Sequence, residues 1–359
     1  RTSAAKVLHI DLQAALAVPL VGLEGVGHVD QGAAAQGVGE MAEAEGIVNF
    51  LAGTQGSRVA VILYQDEDRK GWRVSRLILG FMYLVHALPL PWIARIGDAV
   101  GMALFWLIPE RRRVTRVNLE KCFPQMPPRG RERLARAHFR AFCRSFIDHG
   151  VLWWSSREDI ERMVRIEGLE HLAALAGKPV VVFAPHFVGL DAGGLRLSME
   201  VEMASMYSRQ KDPRFDRLLH GSRTRFGARL YSRQEGLRGP LRAIKSGRPF
   251  YYLPDLDFGR KGSIFVPFFG VPAATVTALS QIARITGAAV VPCVTRMLPE
   301  GGYAARLYPA WEGFPSADDE ADARRMVAFI EERVLEMPEQ YFWLHKRFKT
   351  RPQGEARFY

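Results

Sequence analysis

Residues 180–191 read Val180-Val-Val-Phe-Ala-Pro185-His186-Phe-Val-Gly189-Leu-Asp191. An apolar, β-branched run of strand length meets a proline, and a helical pattern opens at Asp191 and continues to Met199. Such a run predicts a strand buried on both faces, followed by a tight turn and a helix. On a continuous helix, residues five apart are rotated by about 500°, hence roughly 140° away from each other. His186 must therefore precede the helix if Asp191 is to reach its ring. In a turn held by Pro185 and loosened by Gly189, the carboxylate is expected to fix one imidazole tautomer and leave the other nitrogen as a base. A base so placed can make a hydroxyl nucleophilic. The same two residues also suit a plain helix-capping role.

The alternation continues in both directions. Val180–Phe183, Ala204–Tyr207, Phe250–Leu253 and Ala289–Val294 read as strands. Helical patterns lie near Asp191–Met199, Pro213–Phe226, Leu237–Ser246 and Thr275–Thr286, with a late helix over Asp318–Leu335 and an amphipathic one over Arg129–Trp154. This order predicts an α/β fold, a mostly parallel or mixed central sheet flanked by helices. Active groups in such folds collect at strand ends. His186, Arg209 and Asp255 each follow a predicted strand and are expected to share one cleft. Arg209, in Met206-Tyr-Ser-Arg209-Gln-Lys211, has the planar donor fork that suits a phosphate or carboxylate. Asp255 and Asp257 are candidates to orient a substrate hydroxyl, or to shape the turn that Gly259 closes. Lys346 and Arg347, in a late aromatic and basic run, are candidates to pair with lipid phosphate, whereas Trp343 beside them reads better as core.

Charge divides the chain. The net charge is +11, yet Arg1–Arg73 holds six Lys and Arg against nine Asp and Glu, leaving 43 against 29 from Val74 onward. The part with motifs is thus the basic part, which suits an anionic partner. Nucleic acid is disfavoured, because neither a zinc-finger spacing nor an aromatic RNA-binding motif is present. A serine hydrolase of the Gly-x-Ser-x-Gly kind is disfavoured for the same sort of reason. Cys122, Cys143 and Cys293 are widely spaced and fit neither a disulfide framework nor a zinc site. Residues 1–73 are rich in Gly, Ala and Val without sustained periodicity, and read as foreign to the rest. From Leu77 to Ile93 the chain turns apolar, and a second apolar stretch, Ile96–Ile108, ends at Arg111-Arg112-Arg113. Both stretches are short of a full membrane span and interrupted by Pro89, Pro91, Arg95 and Asp98. They read either as an interfacial anchor whose arginines meet anionic headgroups, or as core helices.

Four segments, taken in order, carry a resemblance. They are the His-x4-Asp turn; Leu253-Pro-Asp255-Leu-Asp257-Phe-Gly259-Arg-Lys-Gly with the following Ile264-Phe-Val-Pro-Phe-Phe-Gly270; Ala288-Ala-Val-Val-Pro292-Cys-Val; and Pro338-Glu-Gln-Tyr-Phe-Trp343-Leu-His345-Lys346-Arg347-Phe-Lys349. As a set, over about Val74–Pro352, they resemble the lipid A biosynthesis acyltransferases, the lauroyl branch of the lysophospholipid acyltransferase superfamily. The resemblance implies an acyltransferase without metal or organic cofactor, in which His186, oriented by Asp191, takes a proton from a hydroxyl of a phosphorylated, Kdo-bearing lipid A precursor. Arg209, Asp255, Asp257, Gly259, Lys346 and Arg347 are its implied substrate-binding residues. The implied partners are a lauroyl or similar acyl donor on acyl carrier protein, the phosphorylated glycolipid acceptor and anionic inner-membrane lipid. The implied place is the cytoplasmic face of the bacterial inner membrane.

An apolar tunnel is needed for the acyl chain, with Phe265, Phe268 and Phe269 as candidate walls or, alternatively, core residues. The resemblance divides the chain into an anchoring segment over 74–113, a catalytic domain over 114–352 and a tail over 353–359. Residues 1–73 are then an over-extended reading frame or a flexible extension. Other acceptors of the superfamily, a lysophospholipid or a phosphoinositide mannoside, are the rival substrates, and the Pro254-Asp255-Leu-Asp257 loop favours the lipid A branch. Outside enzymes, the rival is a non-catalytic membrane-surface protein that binds lipid.

Overall fold

The computed structural model describes residues 69–210 and 213–359. The expectation for the N-terminal stretch therefore lies, up to residue 68, outside the described residues. The first helix, α1 (Arg69–Val85), runs through the boundary expected at residue 73. Then come α2 (Leu90–Leu107), α3 (Pro109–Cys122), α4 (Pro128–Trp154) and α5 (Arg157–Met163). The α/β part follows as β1 (Val164–Glu167), α6 (Leu169–Ala173), β2 (Val180–Phe183), α7 (Leu190–Leu197), β3 (Ala204–Tyr207), α8 (Pro213–Thr224), β4 (Arg229–Ser232), α9 (Arg238–Lys245) and β5 (Phe250–Tyr252). It is completed by β6 (Ser263–Phe268), β7 (Val271–Val276), α10 (Ala278–Thr286), β8 (Ala289–Met297), β9 (Tyr303–Leu307) and α11 (Asp319–Glu336).

Seven strands form one sheet in the order β1-β9-β8-β2-β5-β3-β4. Every pairing is parallel except β8 with β9. The mostly parallel sheet expected from the alternation is present, and β2 sits in its middle with all four residues buried. That is why those four residues are apolar without alternation: helices cover both faces. Pro292 lies within β8 where its register with β2 ends, at Phe183. Its missing N–H therefore interrupts nothing on that side.

Helices and hairpins too short or too polar to announce themselves explain what was not expected. Strands β1, β4 and β9 are four to five residues long with charged side chains on exposed positions. The segment Ile264–Gly270, expected only as an apolar run, is half of the antiparallel hairpin β6–β7. Phe269 and Gly270 form its two-residue turn with φ 50° and 77°, as a type I′ turn requires. Thr275 and Val276 belong to β7 rather than to a helix, and α10 begins after Thr277.

In the N-terminal region the two apolar stretches regroup around Pro89, which stands just before α2. Helix α2 buries Ile93, Gly97, Gly101 and Phe105, one residue per turn. A Cβ at Gly97 would come within 2.6 Å of Arg144 Cα, and one at Gly101 within 2.6 Å of the Phe139 carbonyl oxygen. Backbone-to-backbone approach of this kind locks α2 onto α4. Trp92, Trp106 and Leu107 of α2 are each more than half exposed, as are Leu77 and Leu84 of α1. By length and composition α2 is long and apolar enough to cross a membrane.

Candidate active site

Because β2 and β5 are adjacent and parallel, with Phe183 beside Tyr252, the chain segments leaving their C-terminal ends emerge side by side. His186 lies on the first segment and Asp255 on the second. Asp255 is buried, and holds His186 at two points. Its Oδ2 accepts the His186 backbone N–H at 2.9 Å, and its Oδ1 lies 2.6 Å from the ring Nδ1. Burial alone would raise the Asp255 carboxyl, but the charge and hydrogen bonds of His186 outweigh it and keep the group below the usual carboxylate range. An ionised carboxylate only accepts, so Nδ1 carries the proton and Nε2 is left as the basic nitrogen. Phe342 lies nearly parallel to the imidazole, 22° off with centroids 6.3 Å apart, and its N–H donates to the His186 carbonyl at 3.0 Å. Both loops and the C-terminal run thus fix the ring.

Asp191 does not orient His186, which corrects the pairing expected from sequence. It stands in the first turn of α7, where its Oδ1 accepts from Arg223 Nε at 2.9 Å and Nη2 at 2.6 Å. Its Oδ2 is 3.2 Å from Nε2 of His149. Burial opposes ionisation of Asp191, but Arg223 and His149 together hold its carboxyl well below the ordinary range. The reason is directional. The first turn of α7 faces α8, which carries Arg223, and α4, which carries His149, while the nitrogen of His186 that Asp191 was expected to brace is taken by Asp255.

His186, Asp191 and Arg223 nevertheless line one cavity of about 160 Å³ at the C-terminal ends of β2, β3 and β5. Ser205, Tyr207, Ser208, Gln210 and Arg233 add polar groups to its wall, and Leu190, Leu195, Met203, Met206, Leu230 and Leu253 supply apolar ones. Tyr251 contributes its ring and donates its hydroxyl to the Leu190 carbonyl at 3.0 Å, tying β5 to the start of α7. The cavity therefore presents a basic nitrogen, a paired cation and a greasy wall together.

The other expected residues divide. Arg209 is exposed, and its neighbours Ser208 and Gln210 rather than Arg209 itself line the cavity. Asp257 is buried and used internally, accepting the Gly259 N–H at 3.0 Å, the Thr350 N–H at 2.6 Å and the Thr350 hydroxyl at 2.8 Å. Gly259 sits at φ 102°, a conformation that glycine adopts without strain. Lys346 pairs with Glu110 at 3.3 Å. Arg347 is buried, donates to the Ala274 carbonyl at 3.0 Å and the Thr275 hydroxyl at 3.3 Å, and stacks over Phe268. Asp257, Gly259 and Arg347 buttress the loop that carries Asp255, Lys346 ties its segment to α3, and none of them lines the cavity.

His345 belongs to the same buttress. Burial pushes its imidazole down to about 3, and its Nε2 accepts the Asp257 N–H at 3.3 Å. Phe268 is fully buried against Tyr341 and Trp343. Neither it nor Phe265 or Phe269 lines the cavity, whose apolar wall comes from α7, β3, β4 and the end of β5 instead. Arg223, Arg233, His149 and Phe342 were not foreseen, since a lone arginine or histidine in a helical pattern carries no local mark of its partner.

A sequence model of the family described as "Bacterial lipid A biosynthesis acyltransferase" matches residues 70–350. The chain is 33% identical over 280 residues to the lipid A biosynthesis lauroyltransferase of Escherichia coli (strain K12), covering 77% of this chain and 91% of that protein. It is 32% identical over 285 residues to the lipid A biosynthesis palmitoleoyltransferase of the same organism, covering 78% and 92%. Among solved structures, the 1-acyl-sn-glycerophosphate acyltransferase PlsC from Thermotoga maritima aligns with 69% of this chain and 99% of its own, at 17% identity and a TM-score of 0.33.

Proposed function

The chain belongs to the bacterial lipid A biosynthesis acyltransferase family, and from that premise we propose that it moves a lauroyl or similar acyl chain from acyl carrier protein to a hydroxyl of a phosphorylated, Kdo-bearing lipid A precursor. His186 is the general base. The observation that carries this reading is the 2.6 Å contact of His186 Nδ1 with buried Asp255 at the wall of a cavity that is part polar and part apolar.

In the proposed step, Nε2 of His186 takes the proton of the acceptor hydroxyl as its oxygen attacks the thioester carbonyl. The tetrahedral intermediate collapses, the C–S bond breaks, and the leaving thiolate takes the proton back from the imidazolium. Asp255 stabilises that imidazolium and keeps the reactive tautomer, a role worth about a hundred- to ten-thousand-fold for the base it serves. Arg223, held by Asp191, supplies positive charge on the same wall for the oxyanion or for an acceptor phosphate. Arg209, beside the rim, is a candidate for a phosphate further out. Asp257, Gly259 and Arg347 act in this scheme by holding the Asp255 loop and the C-terminal run together, and Lys346 ties that run to α3 through Glu110. The acyl chain lies against Leu190, Leu195, Met203 and Leu253. Each buried methylene contributes about 0.8 kcal/mol, so the depth of that wall ranks chain lengths.

The donor assignment draws on the excess of 43 Lys and Arg over 29 Asp and Glu from Val74 onward, which attracts an acidic carrier. Placement at the cytoplasmic face of the inner membrane, against anionic lipid, draws on the bare apolar side of α1 and α2 and on Arg111–Arg113 at the start of α3. Turnover of acyl carrier thioester with the lipid precursor, followed by mass spectrometry of the product, tests the proposal. His186→Ala is expected to reduce the rate by at least about a hundredfold; a variant that turns over like the parent rejects the base assignment. Acylation of a lysophospholipid in place of the disaccharide would move the acceptor to the rival class.

A further inference from the structure

Helix α4 brings two adjacent titratable residues, Asp148 and His149, into the interior behind the cavity. Asp148 turns towards β9, where it accepts the Tyr303 hydroxyl at 2.6 Å. His149 turns the other way. Its Nδ1 lies 2.8 Å from the Ser145 carbonyl oxygen, and its Nε2 lies 3.2 Å from Asp191 Oδ2. A carbonyl oxygen and an ionised carboxylate are both acceptors, and a neutral imidazole has one N–H to offer. Only the doubly protonated ring satisfies both contacts. The side chain is 15% exposed, so water does little to relieve a mismatch.

We propose that His149 is a positioning residue for the acyl-transfer site: as an imidazolium it clamps the far oxygen of Asp191, and through Asp191 it fixes the Arg223 guanidinium on the cavity wall. The inference rests on the acyl-transfer reading, but no atom of His149 lines the cavity, and it acts only through its neighbour. The charged groups around it are Asp191 from α7, Arg223 from α8 and Asp148 on its own helix, with the rings of Phe146 and Trp153 beside it. Burial disfavours its charge and Arg223 repels it, yet the bond and charge of Asp191 prevail and raise it above an ordinary histidine. A group raised in this way holds its partner fully below the ordinary histidine value, and releases it as pH climbs through the raised one. Above that point the one remaining N–H can serve only one of the two oxygens, and Asp191 loses the positive charge that stood behind it. The His149 contact therefore predicts an alkaline limb in kcat.

The test combines a spectrum and a pH profile. In protein labelled with 15N-histidine, the His149 ring signals, identified by their loss in His149→Gln, are expected to report two protonated nitrogens at pH 7. In Asp191→Asn they should become those of a neutral ring at the same pH. In His149→Gln, whose amide still donates to Asp191 but does not titrate, kcat is expected to stay within a few fold of the parent with the alkaline limb gone. His149→Ala should lower kcat by up to about a hundredfold, with little change in KM. A neutral His149 at pH 7, or an unchanged alkaline limb in folded His149→Gln, overturns the proposal. A wild-type protein with the imidazolium but no acyl transfer would instead reject the assigned reaction and leave the contact standing.

Discussion

His186 and Asp255 lie 69 residues apart in sequence, and the chemistry proposed here depends on which oxygen faces which nitrogen. Asp255 both accepts the backbone N–H and contacts Nδ1, so it sets ring rotation as well as tautomer. Asp255→Asn would still accept at one atom but can present an N–H to the ring, which favours the wrong tautomer. We expect kcat to drop by about a thousandfold or more with KM little changed, as measured by single-turnover transfer. An equal loss in kcat and gain in KM would point to a collapsed site instead. The histidine itself was legible from its place after an apolar run, because a strand end is recognised locally. Its carboxylate partner was not. Asp191 opens a predicted helix and Asp255 follows a predicted strand, and proximity in sequence favoured the one that in fact serves Arg223 and His149.

At the scale of elements, α1 and α2 both pack on α4. Gly97 and Gly101 press α2 against α4, and on α1 Leu77, at 74% exposure, and Leu84, at 59%, face outward. Arg112 spreads over the rings of Phe105 and Trp106 at 5.5 and 5.4 Å, close to exposed Leu107. An apolar patch edged by guanidinium groups suits the boundary between headgroups and acyl chains. Substituting both Leu77 and Leu84 by Glu should weaken co-sedimentation with anionic vesicles by at least about tenfold, given the apolar area withdrawn. The melting temperature should hardly move, since neither side chain is packed. Binding that persists unchanged would place the contact surface elsewhere. The apolar stretches were visible in the sequence, whereas their division at Pro89 and the packing of α2 on α4 were not, because a small residue says that a close approach is possible without naming the partner.

Across the whole molecule, buried polar groups bind the N-terminal helices to the sheet. Burial pushes the Asp148 carboxyl up to about 6, against the opposing pull of the Tyr303 hydroxyl, Arg144 and His149. Its folded value thus lies above the unfolded one, so its contribution is fully present below about pH 4 and is lost as pH rises through about 6. By linkage the loss by pH 8, measured from below pH 4, is on the order of 3 kcal/mol. Asp148→Asn, which still accepts from Tyr303, should flatten the decline in denaturant midpoint between pH 5 and pH 8; a decline that survives unaltered assigns it to other groups. By itself the sequence determined the α/β class, the four principal strands, the histidine at a strand end, the basic balance and the apolar N-terminal helices. Each of these is a matter of local periodicity, composition or turn chemistry. Only the tertiary structure decided that Asp255 serves His186, that Arg223 and His149 share Asp191, and that Arg347 and Phe268 are core. The physical reason is strand order: placing β5 beside β2 is a long-range pairing, and the contacts it creates have no counterpart in the spacing of residues along the chain.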